Sequence, residues 1–557
     1  MNVQTLRQWL PFLNWPRPTG PLLKSEFWAG MTVGLMLVPQ GVAYAALAGM
    51  PLVTGIYASL IPAIVAVLFS SSTRLGVGPT ALTSLLIGAS LTGLAEPTTA
   101  RWVELAVWLA ILSGLLQLIV GLVRFGWLMS LVTSPVLTGF TQAAALLILL
   151  SQLPALLGLR TGWHALFSNP SIHHFDLTSM GFGLGSLALL VLSKRWKPLF
   201  PGAIVIISGA GLLSWYIGFA DKGGDVIGHL PSGFPSLYVP GWLSWDDFGS
   251  LLMPTLVVAL VSFLETASSA KVEHQREGTQ WNENQDLIAQ GLAKISSGFS
   301  GGFATSASFS RSAINIFAGA RTGWSNIFAT LLVLVALLWL TPELYHVPDS
   351  VLAAVVVTAV TGLFKPQILL RLWSVSRVEA TIAIVTFVLT IATAPRLYWG
   401  VLAGVLMNLS HFLYGRMHPR IIEVGMHPDG SLRDRKLWQL PPLTPHLLAL
   451  RMDAELDFAS AATLERRITK ELQARPELRD VCLFALPINR IDVTGVETFE
   501  RLHGQLRKSG GTLYLSGLKL PVEQVLERAG ALKKDEHLQL YRTDAEALAK
   551  LQQSAAA

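Results

Sequence analysis

Charge is scarce in this sequence. Asp, Glu, Lys and Arg make up 14% of its 557 residues and 52% are hydrophobic, where an ordinary soluble protein carries roughly a quarter charged residues. The deficit is uneven. From about Glu26 to Tyr414 the sequence is a succession of apolar stretches with charges confined to the gaps, and from Arg416 onward charge returns to soluble density. A wholly soluble chain is excluded, and the sequence reads as a membrane part followed by a soluble part. Cysteine is rarer still. Cys482 is the only one, which excludes an internal disulfide and any cysteine-built metal cluster. It sits in the strand-like run VCLFAL, where a buried structural thiol fits. The tail from Arg416 onward has no P-loop, HExxH, GxSxG or Cys/His pattern, so neither an enzyme nor a metal or cofactor is expected. The N-terminus lacks an apolar stretch followed by a small-residue cleavage site, so no cleaved signal peptide is expected. The pI near 9.4 does not point to nucleic acid, because the basic residues lie in loops beside apolar segments.

What is abundant is long apolar runs. They give about fourteen segments, at 28–47, 53–69, 79–94, 103–123, 131–153, 179–192, 201–219, 249–270, 285–298, 308–318, 324–341, 349–363, 376–393 and 397–414. Several are too short to cross ~30 Å of hydrocarbon unaided. An even count puts both termini on one side. With the N-terminus inside, the inner loops hold Arg7, Arg17, Lys24, Arg74, Arg124, Lys194, Arg195, Lys197, Lys271, Arg276, Arg321, Lys365, Arg371, Arg377, Arg416 and Arg420. The outer loops hold Arg101, Arg160, Lys222 and Arg396. That bias fixes both termini in the cytoplasm under the positive-inside rule.

Two segments are interrupted in the same way. STRLGVG at 72–78 is followed by Pro79 and a short apolar helix, and GFSGGFATSA at 298–307 by a short helix from Ser308. Pro in the first turn and Ser/Thr just before it are helix-start signals. These are the third and tenth spans, seven apart, so the second copy enters the membrane from the opposite side. Interrupted segments at matching positions of two halves point to an inverted repeat with a binding site between them.

Polar groups inside the spans sharpen this. Arg311 lies in the tenth span in ASFSRSAIN, flanked by Ser308 and Ser310. A charge at that depth costs at least ~2.5–3.5 kcal/mol and needs a partner, a cavity or a ligand. Helix N-termini bind anions through free N–H groups. Two such ends, at Pro79–Thr80 and at Ser308, with a guanidinium between them, make an anion site. Snorkelling of Arg311 to the interface is the plain alternative. Glu265 in the eighth span is a carboxylate that hydrocarbon drives toward its protonated form, as in proton or Na⁺ sites of transporters; the alternative is a salt bridge to Lys294 or Arg311. Gln40 follows Pro39 in the first span and Tyr44 shares its face one turn later. Gln40 suits a substrate oxygen and, equally, interhelical glue.

After a Pro-rich bridge, LWQLPPLTPH, the tail alternates strand and helix patterns. HLLALRM, VCLFALP and GTLYLSGL read as strands. SAATLERRITKELQA, VETFERLHGQLRKSG and LPVEQVLERAGAL read as helices, with Leu464, Ile468 and Leu472, then Val496, Phe499, Leu502 and Leu506, facing inward. This is an α/β sandwich of about a hundred residues.

Together the motifs resemble a known family. PQGVAYAALAGMPLVTGIYAS, GVGPTALTS, NENQDLIAQGLAKISSGF and ASFSRSAIN are similar to the SulP (sulfate permease) anion transporters, and IDVTGVETFERL with GGTLYLSGLKLPVEQVLERAGAL to a STAS domain. The resemblance implies seven plus seven inverted spans, a fold shared with uracil transporters, in which a mobile core domain works against a gate domain. It implies a homodimer with a cytoplasmic STAS domain. Its site motifs fall on Gln40, Tyr44, Thr80, Ser308, Phe309, Ser310 and Arg311, and Glu265 matches the span-eight acid of bacterial proton-coupled members. Two residues depart from the pattern: Lys294 stands where members usually carry Asn, and Thr80 where animal members often have Phe. In soluble STAS proteins a Ser/Thr after the Asp can be phosphorylated; Asp492 and Thr494 occupy that loop, and a plain helix start capped by one of them is the preferred reading.

The expected organisation is a cytoplasmic segment 1–25, a transport domain 26–416, a linker 417–440 and a STAS domain 441–557. The expected function is proton-coupled symport of an oxyanion, sulfate first, across the plasma (inner) membrane. Bicarbonate or a C4-dicarboxylate, Na⁺ coupling and an uncoupled channel or exchanger are the alternatives. No nucleic-acid partner is expected.

Overall fold

A computed structural model describes residues 7, 9–127, 133–159, 176–196, 202–231, 233–532 and 536–556. Arg160, Lys197 and the starts of the spans expected at 131 and 201 lie outside these residues. The chain divides into two compact units, Met1–Asn408 and Leu409–Ala557.

In the first unit, with the last helix running on past Asn408, the expected spans become helices α1 (Gly20–Leu47), α2 (Val53–Tyr57) and α3 (Ile61–Phe69), strand β1 (Val77–Gly78), α4 (Ala81–Leu91), α5 (Ala100–Leu122), α6 (Ser134–Leu156), α7 (Leu177–Trp196), α8 (Gly202–Tyr216), α9 (Trp245–Glu277), α10 (Glu283–Phe299), strand β2 (Ser306–Ala307), α11 (Phe309–Phe317), α12 (Trp324–Val335), α13 (Asp349–Thr361), α14 (Gln367–Val375), α15 (Arg377–Ala392) and α16 (Tyr398–Met417). Five of them, α1, α5, α6, α7 and α9, are long and apolar enough by themselves to cross a membrane. Two differences from the sequence reading stand out. The second span is broken between α2 and α3, with Pro62 in the first turn of α3. The segment before the thirteenth span is an additional amphipathic helix, α14, with no buried residue.

Local chemistry sets the ends. Ser244 caps α9 by accepting Asp247 N, and Gly278 ends it in the left-handed conformation at φ +66°. Asn282 then starts α10 by accepting Gln285 N. Packing follows the symmetry of an inverted repeat. α1 and α9, the first helices of the two halves, each touch both short helices α4 and α11. The pairing of α6 with α15 is matched by that of α13 with α7. At the centre β1 and β2 pair antiparallel, Val77 with Ala307 and Gly78 with Ser306. The helix caps Thr80 and Ser308 stand two residues beyond Gly78 and Ser306 respectively, so the pseudo-two-fold axis passes through that last pair.

The second unit carries a six-stranded sheet of β3 (Ile421–Met426), β4 (Leu432–Asp434), β5 (Leu447–Met452), β6 (Asp480–Phe484), β7 (Leu513–Ser516) and β8 (Leu538–Tyr541), in the order β4-β3-β5-β6-β7-β8. β5 to β8 run parallel and β3 is antiparallel to both its neighbours. The helices are α17 (Ala461–Ala474), α18 (Val493–Lys508), α19 (Leu520–Arg528) and α20 (Asp544–Ala556). Leu464, Ile468, Val496, Phe499, Leu502 and Leu506 are buried as the spacing demands, and Leu472 packs partly buried against the same core. The segment 417–440, expected as a linker, supplies β3 and β4. The alternation was obscured by Glu423, a buried acid inside β3 that Arg435 (2.7 Å) and Arg475 (3.1 Å) neutralise.

Candidate functional site

The site is assembled where the two interrupted segments cross. Thr80 is extended and its hydroxyl oxygen accepts Thr83 N at 3.4 Å; Ser308 does the same for Arg311 N at 3.5 Å. Each cap leaves the first two N–H groups of its helix, at Ala81 and Leu82 and at Phe309 and Ser310, without an acceptor in the helix. Both ends carry partial positive charge.

Arg311 lies behind these ends rather than out at an interface. It is 1% exposed, which rules out snorkelling. Its Nη1 donates to Pro79 O at 2.8 Å and to Gln40 Oε1 at 3.3 Å, and Nη2 to Gly76 O at 3.5 Å. The guanidinium therefore ties the loop before α4 to α11 and α1. Gly76 permits this approach, since a Cβ there would stand 2.8 Å from Arg311 Cβ. Among the described residues Nε of Arg311 is buried without a hydrogen-bond partner. A cation held by neutral carbonyls, with no ion-pair partner among the described residues, has field to spare, and in low dielectric that field reaches an anion placed at the adjacent helix ends.

Glu265 comes to the same place from α9. Its Oε2 accepts from Thr80 Oγ1 at 2.9 Å and from Thr83 Oγ1 at 3.2 Å. It forms no ion pair with Lys294 or Arg311. Lys294 instead donates to Gln117 Oε1 at 2.7 Å. Gln40 and Tyr44 are buried on α1, Gln40 with its oxygen on Arg311 and Tyr44 packed beside Ala81 and Ala145. Phe309 is 53% exposed, Ser310 is exposed, and the Ser308 and Ser310 hydroxyls are 3.2 Å apart. The structure thus gathers Gln40, Thr80, Glu265, Ser308 and Arg311 around one crossing, with Tyr44, Phe309 and Ser310 at its margin.

Sequence reasoning missed Thr83, Ser306 and Gln117. Thr83 shares a helix face with Thr80 at spacing three, a readable signal. Ser306 donates to Ser262 O at 3.0 Å through the β1–β2 crossing, which no local pattern announces. It also missed a polar knot around Asp286, which accepts from Ser70 Oγ and Trp281 Nε1, both at 2.7 Å, and from Ser72 Oγ at 2.5 Å. The run SSS at 70–72 was its trace in the sequence.

Known proteins share this architecture. Residues 23–386 match the sulfate permease family and 441–547 the STAS domain. A probable sulfate transporter of Mycobacterium tuberculosis is 30% identical over 521 residues, 92% of each chain. The sodium-independent sulfate anion transporter of Bos taurus is 31% identical over 565 residues, 94% of this chain and 89% of that one. In fold, the murine Solute Carrier 26 family member A9 anion transporter superposes with a TM-score of 0.89 at 20% identity, covering 99% of this chain and 95% of that one. The transmembrane domain of a cyanobacterial bicarbonate transporter, BicA, gives 0.60 at 21% identity over 70% and 98%. With matches spanning the membrane unit and the tail alike, this multi-span helical protein with its α/β STAS domain belongs to the sulfate permease family, and is a transporter rather than an enzyme.

Proposed function

We propose that this protein is a symporter that moves a divalent oxyanion, sulfate first, together with a proton. The observation that carries the reading is that a buried guanidinium without an ion-pair partner among the described residues, two helix starts and one carboxylate meet at a single crossing. The anion sits between the N-termini of α4 and α11, contacted by Thr80, Ser308, Phe309, Ser310 and the Gln40 and Tyr44 side of α1, with Arg311 supplying charge from behind. Glu265 takes the coupling proton. When it is ionised, its hydrogen bonds to Thr80 and Thr83 hold a negative charge against the anion's place. Protonation removes that repulsion, so proton and anion bind with mutual advantage, as linkage requires. The names of the mycobacterial and bovine relatives support sulfate, and the bovine name supports a cycle without sodium. The charge bias of the loops supports cytoplasmic termini and a plasma (inner) membrane location, and the family resemblance supports a homodimer.

Purified protein in liposomes tests this directly. Labelled sulfate accumulates when the outside is acidified, without Na⁺. Accumulation that follows Na⁺ instead, or labelled bicarbonate or fumarate taken up in preference to sulfate, replaces the reading with the corresponding alternative. Downhill flux indifferent to both gradients makes it an exchanger or channel.

A further inference from the structure

Lys294 is buried at 0% exposure on α10. It cannot reach an interface, because α5 and α10 touch backbone to backbone beside it. A Cβ on Gly114 would stand 2.7 Å from Gly291 O and 2.9 Å from Lys294 Cβ. Its ammonium has three hydrogens to give, and among the described residues its one hydrogen-bond partner is Gln117 Oε1 at 2.7 Å. Gln117 is itself fixed, its amide N–H₂ donating to Ala259 O at 2.7 Å and Ser262 Oγ at 3.0 Å. Among the described residues no ion pair relieves the lysine. A buried cation with one neutral acceptor is poorly compensated, and packing gives no reason for it, since an apolar residue would fill the same space.

The cation does have a neighbour in need of it. Ser262 lies one turn before Glu265 on α9, and its carbonyl accepts from Ser306 of β2, two residues before the Ser308 cap. Lys294 is therefore wired through Gln117 and Ser262 to both sides of the site. We propose that Lys294 suits this transporter to divalent rather than monovalent anions by adding a second fixed cation behind the site. This rests on the functional reading above. A dianion bound at the site holds Lys294 in its ammonium form, so that with Glu265 protonated Arg311 and Lys294 carry two positive charges, which a dianion cancels and a monoanion does not. Without Lys294 the same site balances a monoanion. The electroneutral loaded form is the one that crosses hydrocarbon at least cost. A charge whose field distinguishes a dianion from a monoanion by about 1.4 kcal/mol favours the dianion about tenfold.

The test is labelled sulfate uptake into proteoliposomes under an acid-outside gradient, inhibited by unlabelled selenate, a dianion, or nitrate, a monoanion. In the wild type selenate competes far better than nitrate. In Lys294→Gln, which keeps a donor for Gln117 but no charge, the selenate-to-nitrate ratio falls by about tenfold. The exchange Gln117→Lys with Lys294→Gln returns an ammonium to the same spot and restores the ratio. A ratio that moves by less than twofold in folded Lys294→Gln overturns the proposal. Should that variant not fold, the exchange variant decides: one that folds with a selenate-to-nitrate ratio still about tenfold below that of the wild type overturns it. Wild-type protein that takes up no sulfate overturns the functional reading and this proposal with it, whereas sulfate uptake with an unmoved ratio overturns this proposal alone.

Discussion

The two units treat buried charge in opposite ways. In the STAS unit Glu423 is nearly inaccessible, yet two arginines reach it and a third link runs from Arg475 to Glu471 at 2.7 Å. In the membrane unit Arg311 and Lys294 are just as buried and, among the described residues, donate only to carbonyl and amide oxygens. Full compensation makes a charge structural, because little field is left over. Partial compensation leaves a field for something that comes and goes. The same unit can compensate when it needs to: Arg74 pairs with Glu273 at 3.3 Å and with Glu277, and Glu26 accepts the N–H groups of Arg321, Thr322 and Ser325 around the start of α12 at 2.8–3.0 Å. The bare charges at the crossing are therefore a property of that place and not of the membrane environment.

This contrast is broken most visibly at Glu265. Glu265→Gln mimics the protonated form, so it keeps anion binding and exchange but loses accumulation: sulfate inside rises only to the level outside when pH alone is imposed. A Gln variant that still concentrates sulfate under a pH gradient shows that another group carries the proton. Next in size is Arg311→Ala. Loss of a charge-assisted interaction costs about 1.5–3 kcal/mol, roughly ten- to a hundredfold in sulfate affinity, read by titration calorimetry on folded protein. Native affinity in the Ala variant places the anion's charge partner elsewhere.

The compensated charge should behave differently. Glu423→Ala leaves Arg435 and Arg475 facing each other, but both side chains are about a quarter exposed and find water. The cost is therefore below that of orphaning a fully buried ion, about 2 kcal/mol, seen as faster hydrogen exchange in β3 and β5. Sulfate affinity stays within twofold. A large loss of affinity with intact β3 and β5 breaks the comparison, because a structural charge would then be shaping the site.

Most of the fold was legible, because hydrocarbon imposes a long apolar period that few other features share. The two half-helices could be read from Gly, Pro and hydroxyl residues at matched positions, and the STAS helices from the spacing of Leu464 and Ile468 or of Val496, Phe499, Leu502 and Leu506. β3 and β4 were not legible, since short strands whose buried face includes Glu423 violate the pattern that announces a strand. At the site, the sequence marked Arg311 and Glu265 as costly residues in need of a reason. It did not place Arg311 on the carbonyls of Gly76 and Pro79, or Lys294 on Gln117, because these contacts join segments more than 170 residues apart. Packing of helices against helices determines them, and no local spacing encodes it.

The smallest effect is expected in the STAS loop that contains Asp492 and Thr494. Asp492 is a helix cap in the full sense: Oδ1 accepts Gly495 N at 2.8 Å in the first turn of α18, and Oδ2 accepts Phe458 N at 2.9 Å from the neighbouring loop. Both oxygens are committed to backbone, so the residue satisfies donors on two segments at once. Asp492→Ala should cost about 1 kcal/mol, the usual price of a lost cap, and should raise protease sensitivity near 455–460 together with the start of α18. Thr494→Val removes a half-buried hydroxyl that makes no contact of this kind, and should shift neither stability nor sulfate uptake. Of the two residues, then, only Asp492 belongs with Glu423 among the compensated charges. Uptake that changes with Thr494→Val, or with Thr494→Glu as a phosphate mimic while α18 stays protected, assigns the loop a regulatory part that its hydrogen bonding does not require.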